Sequence, residues 1–218
     1  MIWCVCLGYA QEEKKDSVTY PQRYGLRVGL DLNKVARAFY ESKYTGLEIT
    51  ADYRVASSYY LAGEFGHENK YTTDEQLNFN TQGSYFKVGF DYNAYENWLD
   101  MENMIYIGMR YGVATFSQTL EKYRIYDRNI YFSEQWVTAN QKQSGLSAQW
   151  LEVVVGVKAK LFNNFFLGFS ARVNRMLNQK QPENFSNLYI PGFNRTYDGD
   201  FGVGFNYTLS YLIPIYKK

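Results

Sequence analysis

The stretch Asp200–Tyr216 reads DFGVGFNYTLSYLIPIY, and its side chains alternate between two kinds. One kind is apolar or aromatic: Phe201, Val203, Phe205, Tyr207, Leu209 and Tyr211. The residues between them are small or polar: Gly202, Gly204, Asn206, Thr208 and Ser210. A period of two is the pattern of a β-strand with two unlike faces. This strand exceeds the roughly five or six residues usual in soluble domains, and it matches the roughly 9–11 residues of a tilted membrane-spanning strand.

The same alternation recurs along the chain and predicts further strands. These strands cover 24–32, 46–55, 59–66, 86–92, 105–113, 151–160 and 165–174. We interpret 33–44, 67–83, 93–102, 115–145 and 177–199 as longer connections, and 56–58 and 163–164 as short turns. A total of about eight strands is the minimum for an outer-membrane barrel, whose periplasmic turns are short and whose outer loops are longer. The sequence therefore predicts an all-β fold, an eight-stranded antiparallel up-and-down transmembrane β-barrel with periplasmic termini.

Alternation alone does not decide which face points outward, because a lipocalin-like soluble barrel alternates too, with its apolar face inside. The polar face carries charges of both signs, which we expect to pair in a narrow lumen: Arg27, Glu48, Asp52, Arg54, Glu64, Lys87, Asp91, Arg110, Glu152 and Arg172. Aromatic residues cluster where the predicted strands reach the periplasmic edge: Tyr24, Tyr53, Tyr59, Tyr92, Phe165 and Tyr211. An aromatic girdle of this kind marks a membrane interface. These features favour the membrane barrel over the soluble one.

Composition and the N-terminal residues agree with an envelope protein. The net charge of +1 gives no reason to expect a nucleic acid partner, and Tyr and Phe are abundant at 22 and 15 residues. Residues 1–10 are apolar and end in small residues, which is typical of the end of a signal peptide, and 11–23 is predicted to be a flexible periplasmic lead-in. Cys4 and Cys6 are the two cysteines of the chain, so the barrel over 24–218 has no disulfide or thiolate metal site. No cofactor is expected.

In a barrel of eight strands, side chains fill the interior, so the paired charges predict a closed lumen and argue against a porin role. Function is then expected on the loops, the rim, the periplasmic tail or the lipid-facing wall. The outer loops carry aromatic and apolar residues that either fold over the barrel mouth or dock on a partner. The candidates for partner binding are Leu188, Tyr189, Ile190, Phe193, Tyr197, Tyr126 and Trp136.

An enzymatic alternative centres on His67, the single histidine of the chain. Some small barrels modify lipid A with a rim histidine, a serine and an acid, and Ser84 is the nearest serine candidate here. A catalytic pair needs a third group to orient it, and the sequence does not supply one beside His67. We therefore expect a solvated loop histidine and a non-enzymatic protein. The third alternative is a free-standing structural or adhesion barrel.

Several segments resemble a family of uncharacterised small outer-membrane proteins from Bacteroidota. They are Tyr44–Glu48 (YTGLE), 103–120 (NMIYIGMRYGVATFSQTL), 187–199 (NLYIPGFNRTYDG) and Ser210–Lys218 (SYLIPIYKK). The resemblance implies an accessory subunit of a larger envelope complex, with the outer-membrane barrel assembly machinery as the first candidate. The partners it implies are outer-membrane lipid and lipopolysaccharide, together with other outer-membrane proteins or surface lipoproteins.

Overall fold

The computed structural model describes residues 23–95, 101–125, 135–182, 185–194 and 200–217. The predicted signal segment and nearly all of the lead-in lie outside these ranges. The elements in chain order are β1 (Arg23–Asp31), α1 (Leu32–Tyr40), β2 (Tyr44–Arg54), β3 (Tyr59–Thr73), β4 (Leu77–Asn93), β5 (Met104–Arg124), β6 (Trp136–Phe162), β7 (Phe165–Gln179) and β8 (Phe201–Lys217).

The strands close into a barrel in chain order. Each strand pairs with its successor in antiparallel fashion, and β8 pairs back onto β1 with Leu30 opposite Leu209. The eight-stranded antiparallel up-and-down barrel predicted from the alternation is thereby confirmed. Among the described residues, no helix has the length and apolar character needed to cross a bilayer.

The two faces predicted from the period-two pattern separate into an outside and an inside. Most residues of the predicted apolar face point away from the barrel and are exposed, as Phe65, Val88 and Val155 illustrate. The polar residues between them point inward and are buried, as Glu64 and Lys87 illustrate. This arrangement follows from strand geometry, in which successive side chains leave opposite faces.

The two ends of the barrel differ. We call the end that carries Arg23 and Lys217, which pair with each other, the terminal end. The short connections after β2 and β6 lie there, and Asn164 adopts a positive φ of 70° in the second of them, a backbone state that Asn tolerates better than most residues. We call the opposite end, where α1 lies, the loop end.

Three predicted connections are wrong, because the structure places regular elements there. The segment 67–83 is mostly strand: β3 continues to Thr73 and β4 begins at Leu77. The segment 115–145 likewise contains the ends of β5 and β6, whose pairing reaches Arg124 opposite Trp136. Outward residues such as Gln82 and Ser117 are polar here, whereas Phe79 and Phe116 are buried inside, so the apolar–polar alternation stops although the backbone ladder continues. The third connection, 33–44, contains α1, which begins where the Asp31 carboxylate accepts a hydrogen bond from Asn33 N at 2.9 Å.

Candidate functional site: the barrel interior and the loop end

The middle of the barrel is filled by a cluster of buried ions, which we call the lumen network. Arg172 Nη1 lies 2.9 Å from Glu64 Oε2 and 3.1 Å from Glu152 Oε2. Lys87 Nζ lies 2.9 Å from Glu152 Oε1 and 3.5 Å from Glu64 Oε2. Each side chain is at most 7% exposed. Two carboxylates and two cations thus compensate each other in a space without bulk water.

The network continues toward the terminal end through further pairs. Arg110 Nη2 donates to Asp91 Oδ2 at 2.9 Å. Arg27 Nε donates to Asp52 Oδ1 at 2.7 Å, and Lys158 Nζ donates to Asp52 Oδ2 at 2.5 Å. Cavities of about 40 Å³ and 30 Å³ lie among these groups, each with room for about one water molecule. The charged side chains therefore occlude the lumen between the network and the terminal end.

The structure brings together most of the residues predicted for the lumen. Those that are buried inside the barrel are Arg27, Glu48, Asp52, Glu64, Lys87, Asp91, Arg110, Glu152 and Arg172. Arg54, the remaining residue predicted for the lumen, is half-buried at the terminal end, where it lines the same small cavity as Arg27. Its guanidinium lies 5.0 Å from the Tyr24 ring centroid and donates to the carbonyl of Ala56 at 3.3 Å.

A second ion group at the loop end was not predicted from the sequence. Lys34 of α1 donates to Glu68 and lies 3.6 Å from Glu48 Oε2. Burial disfavours the charged lysine, but the Glu68 and Glu48 carboxylates outweigh it and raise the pKa of Lys34 above its ordinary value. Lys34 and Glu68 both fall in segments read as loops. The signal for Glu68 was present, since Glu64, Gly66 and Glu68 continue the inward face at a spacing of two.

The loop between β7 and β8 folds down into the mouth of the barrel. We call its described part, residues 185–194, the plug loop. Ile190 and Phe193 are fully buried there, and the Phe193 ring meets Trp150 edge-on at 5.8 Å between centroids. The loop turns back on itself through a bridge between Ile190 and Asn194. Gly192 has a φ of +78° and lies against the Tyr85 ring, so a side chain would not fit there.

The plug loop is also held by a polar contact with the loop-end ion group. The Tyr189 hydroxyl donates to Glu68 Oε2 at 2.5 Å. Burial and the neighbouring Glu68 carboxylate raise the pKa of Tyr189 well above its ordinary value, so the phenol stays neutral and donates this hydrogen bond. The same carboxylate therefore connects α1, β3 and the plug loop.

Two alternatives were open for the apolar residues of the outer loops: they fold over the barrel mouth, or they dock on a partner. Tyr189, Ile190 and Phe193 are buried, so the expectation that they dock on a partner is wrong for this conformation. Leu188 is half-buried. Trp136 is 41% exposed and is therefore accessible to a partner. The Arg124 guanidinium lies 4.9 Å from its ring centroid. Tyr126 and Tyr197 lie outside the described residues.

We expect Gly112→Ala to lower the free energy of unfolding by about 1–3 kcal/mol, the usual cost of overpacking. A Cβ at position 112 would lie 2.6 Å from Cζ2 and 2.7 Å from Nε1 of Trp150. That indole cannot move freely, because its Nε1 donates to Glu152 at 2.6 Å. Urea unfolding followed by tryptophan fluorescence measures the change. The matched control is Gly63→Ala, whose Cβ would lie 3.8 Å from the nearest atom; an equal loss in both variants would contradict the packing argument.

The histidine candidate lies on the outer face of β3 toward the loop end. His67 Nδ1 lies 2.9 Å from Ser84 Oγ, and the two residues are direct cross-strand partners. The adjacent Glu68 is buried on the opposite face of the strand. It therefore cannot orient the His67 ring as the acid of a catalytic triad would. Within the described ranges, no group of three or more His, Cys, Asp or Glu residues is arranged to hold a metal ion.

These features define a closed eight-stranded barrel with an ion-filled lumen and an inserted loop. The chain belongs to the family described as "Domain of unknown function (DUF6048)", whose model matches residues 1–218, and the expected membership of an uncharacterised family is thereby confirmed. A solved structure from Neisseria, described as Neisserial surface protein A (NspA), is similar at 9% identity and a TM-score of 0.40. The similarity covers 89% of this chain and 100% of that one. No curated protein matches the chain.

Proposed function

We propose that this barrel spans the outer membrane of a Gram-negative bacterium, with its terminal end in the periplasm. The support is the exposed outer wall, which is apolar around the whole circumference. Representative residues from the strands are Leu61, Phe65, Phe86, Phe90, Ile107, Met109, Val153, Val155, Leu167, Val203 and Phe205. A soluble monomer rarely exposes more than a few hundred Å² of continuous apolar surface. The aromatic pairs Tyr59–Tyr92 and Phe165–Tyr211 near the terminal end match an interfacial girdle.

We further propose that the barrel is a non-conducting, non-enzymatic scaffold that holds other envelope proteins in place. The lumen network carries this conclusion, because a lumen filled by compensated charges leaves the wall and the loops as working surfaces. A conduction path would require breaking pairs such as Arg172–Glu64, which leaves a buried charge without its partner. Trp136 and the lipid-facing wall are then the contact surfaces to examine first.

The scaffold proposal is tested by affinity purification from native membranes in a gentle detergent, with co-purifying proteins identified by mass spectrometry. We expect stoichiometric recovery of a large barrel or of surface lipoproteins, with the barrel assembly machinery as the first candidate. Trp136→Ala should reduce that recovery if the loop end makes the contact, and Phe162→Ala at the terminal end is the matched control, since Phe162 is also exposed. A lone, monodisperse barrel would contradict the subunit role and favour a free-standing structural or adhesion barrel.

We expect no stepwise ion current when the purified wild-type protein is reconstituted into a planar lipid bilayer. The reason is the occluded lumen between the network and the terminal end, where two cavities among the ion pairs hold about 40 Å³ and 30 Å³. A refolded porin in the same bilayer provides the positive control. Reproducible conductance steps from the wild-type protein would refute the scaffold interpretation and require a channel.

A second candidate function rests on the hydrogen bond between His67 and Ser84. A histidine and a serine in contact on the outer wall are the parts of a nucleophile–base pair that acts on lipid acyl esters. The test compares the lipid A mass spectrum of cells that carry His67→Ala, Ser84→Ala or the wild type. Identical spectra remove this candidate, whereas the same acyl change in both variants would replace the scaffold proposal with an enzyme.

A further inference from the structure

The barrel wall lacks a strand segment between β8 and β2 near the loop end. β1 ends at Asp31, opposite Thr208, so residues 201–207 of β8 pair with β7 but not with β1. The β1–β2 pairing covers 49–53 of β2, so residues 44–48 pair with β3 but not with β1. α1 takes the missing place and packs against β2 and β8. The Asn33 side chain donates to the carbonyl of Phe205 at 3.4 Å, where a neighbouring strand would otherwise donate.

A cavity of about 760 Å³ lies at this gap. Its volume is within the roughly 300–1,000 Å³ of ordinary ligand pockets. One side of the cavity is lined by apolar residues of the outer wall: Phe169, Ala171, Val203 and Phe205. The other side is lined by charged residues of α1 and of the interior. The cavity therefore has an apolar side that continues the outer wall and a charged side that continues the interior. An amphiphile requires such a combination, because its tail is apolar and its head group is polar.

The charges that line the cavity are mostly positive. They are Lys34, Arg37, Lys70, Lys87 and Arg172, against the carboxylates of Asp31 and Glu48. Lys87 and Arg172 belong to the lumen network and Lys34 to the loop-end ion group. Arg37 and Lys70 lie nearer the surface and are half-buried.

Arg37 retains donors that its protein contacts do not use. Its Nε donates to Glu41 at 2.5 Å, and its guanidinium lies 4.1 Å from the Tyr44 ring centroid. In the part of the chain that the structure describes, its terminal nitrogens make no hydrogen bond to protein. Lys70 Nζ lies 4.6 Å from the Tyr189 ring centroid, so the plug loop positions it at the cavity. A guanidinium and an ammonium together are suited to a phosphate group.

We propose that this cavity binds lipid A of the outer leaflet. A phosphate of the head group lies against Arg37 and Lys70, and an acyl chain follows Phe169, Val203 and Phe205. The exposed aromatic residues of α1, Phe39 at 87% and Tyr40 at 74%, then lie at the interface between head groups and acyl chains. This inference rests on the proposed function, because it requires the loop end to face the outer leaflet.

The test measures binding of diphosphorylated lipid A to the purified barrel by native mass spectrometry in a mild detergent. We expect one bound lipid A in the wild type. Replacing Arg37 and Lys70 together by Gln should weaken binding about tenfold or more, as expected for lost charge-assisted hydrogen bonds. Lys43→Gln is the matched control, since Lys43 is an exposed cation at the same end that lines a different cavity.

A second pair of variants examines the apolar side without touching a charge. Ala171→Trp fills the cavity from the outer wall and should also weaken binding. Ala159→Trp is its control, since Ala159 on β6 is also exposed and lies outside the cavity lining. Unchanged binding in either cavity variant, or equal binding of dioleoyl phosphatidic acid, overturns the proposal.

Fractionation of the membranes of cells that produce the wild type distinguishes two proposals. One is the location of the barrel in the outer membrane, and the other is its binding of lipid A. A barrel that fractionates with the outer membrane but retains no lipid A overturns this inference and leaves the scaffold proposal intact. A barrel that is absent from the outer membrane fraction overturns both.

Discussion

Replacing Arg172 with Met should lower the free energy of unfolding of the barrel by about 3–5 kcal/mol, the cost of breaking a buried ion pair. The guanidinium of Arg172 is shared by Glu64 and Glu152, at 2.9 Å and 3.1 Å. Its removal leaves those two carboxylates with less compensating charge in a space that excludes bulk water. The change is measured by urea unfolding in lipid vesicles, followed by tryptophan fluorescence.

Arg54→Met is the matched control for this prediction. Arg54 lies on the same polar face of the sequence pattern, but it is only half-buried at the terminal end, and its Nε and Nη2 donate to carbonyls of the exposed turn after β2. We expect its loss to cost less than about 1 kcal/mol, as is usual for exposed charges. The double variant with Arg172→Met and Glu64→Gln should lose less than the sum of the single changes, because it also removes one unpaired charge. Equal losses for Arg172 and Arg54 would contradict a central role of the network.

Phe193→Ala should lower the free energy of unfolding by about 3–5 kcal/mol, the range for a buried Phe. The Phe193 ring is fully buried in a cluster with Tyr85, Phe116 and Trp150 inside the barrel mouth. Its truncation leaves a cavity that rigid strands cannot collapse around, since the closed ladder fixes their positions. We also expect limited proteolysis to cut within residues 185–194 at least several times faster than in the wild type.

The comparison for this variant is Leu188→Ala, in the same loop. Leu188 is only half-buried, so its truncation should cost less and leave the protease pattern nearly unchanged. If Phe193→Ala were as stable and as protease-resistant as the wild type, the plug loop would not be anchored by its aromatic residue. The loop would then be free to leave the mouth and contact a partner, as the partner-docking alternative requires.

The loop-end features escaped prediction for two physical reasons. Closer to the loop end than His67 and Ser84, the outward residues of the strands are polar and the inward face mixes polar residues with apolar ones such as Phe116, so the side-chain pattern no longer reports the backbone ladder. The pattern therefore predicts a loop at Glu68, although Glu68 continues the inward face of β3. Lys34 was missed because a charged residue in a short helix gives no local sign of a carboxylate that lies far away in the chain.

The sequence by itself determined the barrel, its outer and inner faces, and most of the charges inside it. It could do so because a strand exposes its two faces at a fixed spacing of two, and each face meets one environment. Only the tertiary structure decided that the plug loop enters the mouth, that Lys34 pairs with Glu68, and that α1 replaces a strand segment beside a cavity. These features depend on contacts between residues distant in the chain, and local periodicity carries no information about which distant residues meet.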